Sequence, residues 1–152
     1  MTKKSAGILL YRLKDALEVF LVHPGGPFFA KKDIGSWSIP KGEFTEPETP
    51  LQAALREFKE ETGTEPASAG IELTPVKLKS GKLVYAWAIE GDIDPEMIQC
   101  NSFTIEWPPR SGTFREFPEI DKGEWFTYSQ AKEKINPAQS DLIEELVKRL
   151  GL

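Results

Sequence analysis

Three glutamates, Glu57, Glu60 and Glu61, fall within five residues in the stretch REFKEETG, Arg56 to Gly63. In a helix, the spacing i, i+3, i+4 brings them to one side. Like charges so placed cost roughly 0.2–0.5 kcal/mol per pair on an exposed helix, which calls for a compensating cation. An oxygen-only, strongly negative donor set suits a hard divalent ion, Mg2+ or Mn2+. Carboxylates also bridge a pair of such ions, an arrangement that activates water and stabilises a leaving oxygen. A solvated acidic face is the ordinary fate of a charge cluster, and the cluster alone favours that plainer reading. One histidine, His23, and one cysteine, Cys100, stand far apart in the sequence. They give no support for a Cys/His or Ser/His/Asp nucleophile, nor can they supply the four nitrogen or sulfur ligands of a structural zinc.

The element that must carry the acids is well marked. Thr49 fits an N-cap, Pro50 the first helical position, and Gln52 completes a T-x-x-Q capping box. Gly63 fits the residue just past the last turn. At about 100° per residue, Leu51, Leu55, Phe58 and Thr62 share a packing side and the three glutamates take roughly the opposite one.

The residues around the cluster change the weighing. From Gly42 the chain reads GEFTEPETPLQAALREFKEETGT. This resembles the Nudix box: Gly, five residues, Glu, seven residues, Arg-Glu, an apolar residue, any residue, Glu-Glu, any residue, Gly, an apolar residue. Gly42, Glu48, Arg56, Glu57, Phe58, Glu60, Glu61 and Gly63 are in register. Thr64 departs, standing where an aliphatic is usual. The resemblance implies an α+β fold, an α/β/α sandwich with a mixed sheet, over a single domain spanning 1–152. It implies hydrolysis of a nucleoside diphosphate linked to another moiety, dependent on Mg2+ or Mn2+. By position, Glu57, Glu60 and Glu61 are implied metal ligands with the Gly42 carbonyl, while Glu48 and Arg56 pair and fix the preceding loop to the helix. One of the helix acids or a loop acid activates water. Glu116 is the loop acid expected as an added ligand, with Glu106 and Glu119 as alternatives for the base. A nucleotide-binding module that kept the fold and lost turnover is the competing reading, and a pyrophosphohydrolase acting on RNA ends or nucleoside triphosphates is a third.

SWSIPKGE, entering the box, is similar to the dinucleoside polyphosphate hydrolase branch. Lys41 is then a candidate phosphate contact, with a surface lysine as the plainer reading. Trp37 and Tyr85 are candidate platforms for a base, alongside Trp87, Trp107 and Phe114, although most aromatics at strand positions pack in a core.

Around this centre, SAGILLYRL and LEVFLVH predict a hairpin, and IELTPVKLKS with KLVYAWAIEG a second. WSIP, FTIEWP and EWFTYS are further strand candidates, with a long charged loop, PRSGTFREFPEIDKG, between the last two. Asn136, Pro137 and Gln139 open a final helix with Leu142, Ile143, Leu146 and Leu150 on its apolar stripe. His23, at a strand end, is expected to be a satisfied loop residue. The 152 residues carry a formal net charge of −5, which does not suit a binder of nucleic-acid backbone and leaves a small anionic substrate open. No run approaches the ~20 apolar residues of a membrane span. A cytoplasmic protein with a small-molecule nucleotide as partner is the expectation.

Overall fold

A computed structural model describes residues 3–66 and 70–152. The first predicted hairpin forms, as β1 (Lys4–Leu13) and β2 (Leu17–Pro24). Its strands pair directly only near the turn, Tyr11 opposite Val19 through Leu13 opposite Leu17. Further along they part, and residues 37–43 are wedged between them. Ser38 bridges Val22 on β2, the Ile8 N–H donates to the Pro40 carbonyl at 3.1 Å, and β3 (Lys41–Glu43) pairs with Ser5–Gly7 of β1. The strand expected at WSIP is therefore reduced to isolated bridges, and the regular pairing starts at Lys41. Pro40 has no N–H to give to a ladder, which favours starting the pairing after it.

The other edge of β1 takes β5 (Leu83–Glu90) in parallel along eight residues, and β4 (Ile71–Lys77) closes the second predicted hairpin outside it. On the far side β8 (Ile120–Thr127) pairs with β2. The order is β4-β5-β1-β2-β8 with β3 on β1, a mixed sheet as expected. Within the segment expected to be a long loop, β7 (Phe114–Pro118) pairs with β6 (Ser102–Glu106) to make a separate two-stranded sheet, and β8 begins at Ile120. The charge of that segment hid its alternation.

β1 is buried on both faces, and its alternation sorts the core into two layers. Ala6, Ile8 and Leu10 pack with Phe20, Val22 and the helix α1 (Pro50–Thr62). Leu9 and Tyr11 pack with Trp37, Ile39 and residues of α2 (Tyr128–Lys134) and α3 (Ser140–Arg149). The result is helix, sheet, helix. Sequence reading missed α2, whose seven residues hold one buried side chain, Ala131, too little for a period to show. Pro137–Gln139 forms a 3-10 turn ahead of α3. Leu142, Ile143 and Leu146 are buried as predicted, and Leu150 is partly so. Among the described residues no helix is long and apolar enough to cross a membrane.

α1 is capped as the sequence predicts. The Thr49 hydroxyl accepts from the Gln52 N–H, the Gln52 side chain accepts from the Thr49 N–H, and Gly63 takes the left-handed conformation at φ 79°. Its packing side differs. Ala53, Ala54, Phe58, Glu61 and Thr62 are buried, whereas Leu51 and Leu55 are exposed. The helix is rotated so that Glu61 lies near the middle of the face turned to the sheet. Phe58, 1% exposed, contributes on the order of 2–3 kcal/mol by burial. Thr64 is exposed, its N–H donates to the Thr62 hydroxyl, and it borders a small cavity of about 70 Å3 with Leu10, Phe58 and Ile93.

Candidate active site

Two of the acidic side chains of α1, Glu57 and Glu61, are pressed onto β3, which the wedge between β1 and β2 holds beneath them, while Glu60 is exposed. Glu61 is 8% exposed, and its Oε2 accepts the Lys41 N–H at 2.7 Å. The Glu57 carboxylate lies over Gly42. A Cβ at that glycine would fall 2.0 Å from the carboxyl carbon, so the approach requires glycine. Arg56 grips Glu48 with both prongs, Nε to Oε2 at 2.7 Å and a terminal nitrogen to Oε1 at 2.9 Å. Its other terminal nitrogen donates to Glu57 at 2.8 Å and Glu60 at 3.1 Å. Glu48 thus ties the loop before α1 to the site, as the family pattern implies.

Burial is the main reason that Glu57 and Glu61 hold their protons more tightly than ordinary glutamates. For Glu61, pushed up to about 8, the Lys41 N–H opposes that shift and the charges of Glu57 and Glu119 add to it. For Glu57, Arg56 opposes it and the charges of Glu60 and Glu119 add to it. Glu48, gripped by Arg56, is held below the usual carboxylate range. Arg56 itself is raised further above its ordinary value, first by Glu48. Lys41 is half-buried, its ammonium lowered by burial and by Lys82 and supported by Glu61, Glu43 and Glu57.

The donors fit a hard divalent ion in type. They are all oxygen and mutually repelling, Glu61 buried, Glu57 half-buried and Glu60 exposed, so a cation relieves what burial and crowding impose. Among the described residues no three acidic, histidine or cysteine side chains stand in ready-made metal-cage spacing. Mg2+ commonly takes one or two carboxylates and completes its shell with water and substrate phosphate oxygens, which suits an open set of this kind.

The loop acid beside the cluster is Glu119, not Glu116. Glu116 is exposed on β7 opposite Thr104. Glu119, also exposed and past the end of that strand, stands close enough for its charge to raise Glu57 and Glu61, and its own proton is held more tightly by partial desolvation and by Glu60. The backbone is the reason: Glu119 lies in the connection between β7 and β8, held by its N–H on the Asn101 carbonyl and its carbonyl on the Gly25 N–H. Glu106 accepts from the Arg110 and Gly112 N–H groups and shapes a turn.

Trp37 is corrected as a base platform. It is 1% exposed in the layer of α2 and α3, edge-on to Phe126 at 5.0 Å, with its indole N–H on Asp33. The wedge that positions Lys41 and Gly42 also turns Trp37 and Ile39 into the opposite core. Tyr85 is half-buried, edge-on to Phe44 at 6.1 Å. It lines a groove of about 430 Å3 with Leu51, Pro75 and Trp87 beside the N-terminus of α1. His23 is satisfied as expected, between the Asp121 carboxylate and the Lys32 carbonyl.

A family model of the NUDIX domain matches residues 1–146. The chain belongs to the Nudix family. Membership makes it a phosphoanhydride hydrolase, and the family generally uses a divalent metal such as Mg2+ or Mn2+. The fold is similar to that of a C. elegans Ap4A hydrolase solved as a binary complex, with a TM-score of 0.68 at 21% identity over 97% of this chain and 98% of that one. It is also similar to the NUDIX domain of Shewanella oneidensis NrtR complexed with ADP ribose, with a TM-score of 0.68 at 19% identity over 99% and 89% of the two chains. In sequence, 115 residues are 31% identical to part of a Myxococcus xanthus protein named octanoyltransferase. That match covers 76% of this chain and spans 28% of the relative's length, so most of that protein lies outside the likeness.

The Arg56 network gives the Nudix site a testable unit. Arg56→Ala strands Glu48, Glu57 and Glu60 together, whereas Glu48→Ala removes two of the four contacts of Arg56 and leaves those to Glu57 and Glu60. Arg56→Ala should therefore lower kcat/KM more than Glu48→Ala. The double variant should be little worse than Arg56→Ala, with a coupling on the order of 1 kcal/mol in the cycle. Steady-state kinetics of the four proteins check this, and additive losses would show that the two act separately.

Proposed function

We propose that this Nudix hydrolase is a Mg2+- or Mn2+-dependent pyrophosphohydrolase that cleaves a nucleoside diphosphate linked to another moiety, with dinucleoside polyphosphates as its substrates. The observation that carries the reading is the pair of carboxylates Glu57 and Glu61 of α1, held against the Lys41–Gly42 backbone, with the exposed Glu60 joined to Glu57 through Arg56. A structural surface has no use for acids held this way, with burial raising Glu57 and Glu61 above ordinary carboxylates.

In this reading Glu57, Glu60 and Glu61, with the Gly42 carbonyl alongside, would hold the divalent ion, which would supply charge neutralisation for phosphate oxygens and a more acidic water. Glu119, beside the cluster on the loop, takes the proton of the attacking water; partial desolvation and Glu60 raise it above an ordinary glutamate, in the direction a base needs. Lys41 binds a phosphate oxygen, and Arg56 with Glu48 keeps the helix acids oriented. Tyr85 and its groove receive a base. The likeness in fold to an Ap4A hydrolase supports the substrate class.

With Mg2+ present, kcat/KM for diadenosine polyphosphates should exceed that for ATP and for ADP-ribose. Preference for ADP-ribose would overturn the substrate class and leave the chemistry in place. Tight nucleotide binding with no turnover on any of them would overturn the catalytic reading. Hydrolysis in 18O-labelled water then locates the attacked phosphorus.

A further inference from the structure

The β6–β7 hairpin is an unusual appendage. It stands outside the main sheet, yet it is rooted at the catalytic helix. The Gln99 N–H donates to the Thr62 carbonyl at the C-terminus of α1, and the Glu119 N–H donates to the Asn101 carbonyl. Alternation places Phe103, Ile105 and Trp107 on one face together with Arg115 and Phe117. Residues 25–29 lie along this face. The Gly25 N–H donates to the Glu119 carbonyl at 2.8 Å, Gly26 touches the Phe103 ring, and Phe28 stands edge-on to Trp107 at 5.3 Å. These rings are not sealed in a core: Trp107 is half-exposed and Phe28 is 55% exposed. Among the described residues Arg110, Arg115 and Lys31 make no ion pair. Free cations beside exposed rings, in a chain of net charge −5, complement an anionic ligand that carries an aromatic group.

The position matters as much as the composition. The groove at Leu51 and Tyr85 adjoins the N-terminus of α1, and the hairpin is rooted at its C-terminus. The 13 residues of α1 span about 20 Å, with the acids between. We propose that the β6–β7 hairpin and residues 25–29 form a second aromatic subsite, which holds the base at the far end of a two-base substrate whose first base lies in the Tyr85 groove. Trp107 and Phe28, edge-on to each other, offer that base a ring face and a ring edge, and Arg115, on the same side of the hairpin, faces the phosphate chain leading to it. This inference rests on the dinucleoside polyphosphate reading.

The test compares diadenosine tetraphosphate with ATP, with Mg2+, in wild type, Phe28→Ala, Trp107→Ala and Trp107→Phe. Base stacking on a ring is strong enough for its loss to raise KM about tenfold or more. Phe28→Ala and Trp107→Ala should show that rise for diadenosine tetraphosphate, with a much smaller rise for ATP and kcat little altered. Trp107→Phe should recover most of the affinity, since it keeps a stacking face. Phe28 is exposed, so its variant keeps the test valid should Trp107→Ala disturb the hairpin. Equal KM changes for the two substrates, or none in Phe28→Ala, would overturn the subsite while the substrate reading stands. A wild type that does not favour diadenosine tetraphosphate over ATP removes the reading and the subsite with it.

Discussion

Metal-free protein should lose stability steadily from pH 5 to pH 8, and Glu61→Gln should remove most of that slope while abolishing turnover. Glu61 titrates near 8 in the folded protein because it is buried and stands near Glu57 and Glu119; unfolded, it returns to an ordinary value of about 4.5. Below pH 4.5 both states hold the proton and burial costs nothing. Between the two values the unfolded chain gives up its proton while the folded one keeps it, so stability falls as pH rises, by at most about 1.4 kcal/mol per pH unit. Above 8 both are ionised and the full cost, on the order of a few kcal/mol, remains. An exposed acidic face would show a few tenths at most; the burial of Glu61 makes the difference.

Gln at this position keeps the shape and the acceptor for the Lys41 N–H and loses the ionisation. Mg2+ or Mn2+ binds the folded state and should raise the wild-type melting temperature, more at pH 8 than at pH 5, because the ion favours the carboxylate. The variant should gain less. Thermal melts across this pH range, with chelator and with metal, and kcat in parallel check the set. A Glu61→Gln protein with the wild-type pH slope and near-wild-type turnover would show that Glu61 is not part of the site.

Gly42→Ala should separate activity from stability. The added methyl would meet the Glu57 carboxylate, at 2.0 Å from its carbon and 2.1 and 2.3 Å from its oxygens. A glutamate tip can swing away, so the fold should survive with a stability loss of about 1 kcal/mol or less. The swing takes Glu57 off the metal and breaks its contact with Arg56, so kcat/KM should fall at least ten- to a hundredfold. Gly7→Ala is the contrast. Its methyl would meet the Pro40 carbonyl at 2.4 Å and the Lys41 Cβ at 2.6 Å, and backbone cannot swing. That variant should lose stability and melt lower. Melting and metal titration of both proteins decide the matter; a Gly42→Ala enzyme of normal metal affinity would show that Glu57 does not need its place over the glycine.

The helix that carries the acids, its caps and its pairing arginine were legible in the sequence because they depend on local spacing. Thr49, Gln52 and Gly63 act within one turn of their partners, and Glu48, Arg56, Glu57, Glu60 and Glu61 keep a register that the family repeats. Both hairpins and the stripe of α3 were legible for the same reason: alternation and helical period are written residue by residue. What tertiary structure decided lies between elements. The periodicity placed Leu51 and Leu55 inside, but the rotation of α1 is set by where the wedge of residues 37–43 enters the sheet, and that rotation buries Glu61. The same wedge turned Trp37 into the opposite core, which no property of a tryptophan in WSIP could reveal. Glu119 was chosen over Glu116 by the pairing of β7 with β6, hidden in a charged segment that reads as a loop. Spacing along the chain determined which groups belong to the site; which side of a sheet or helix each one faces depends on long-range pairing, and only the folded chain sets that.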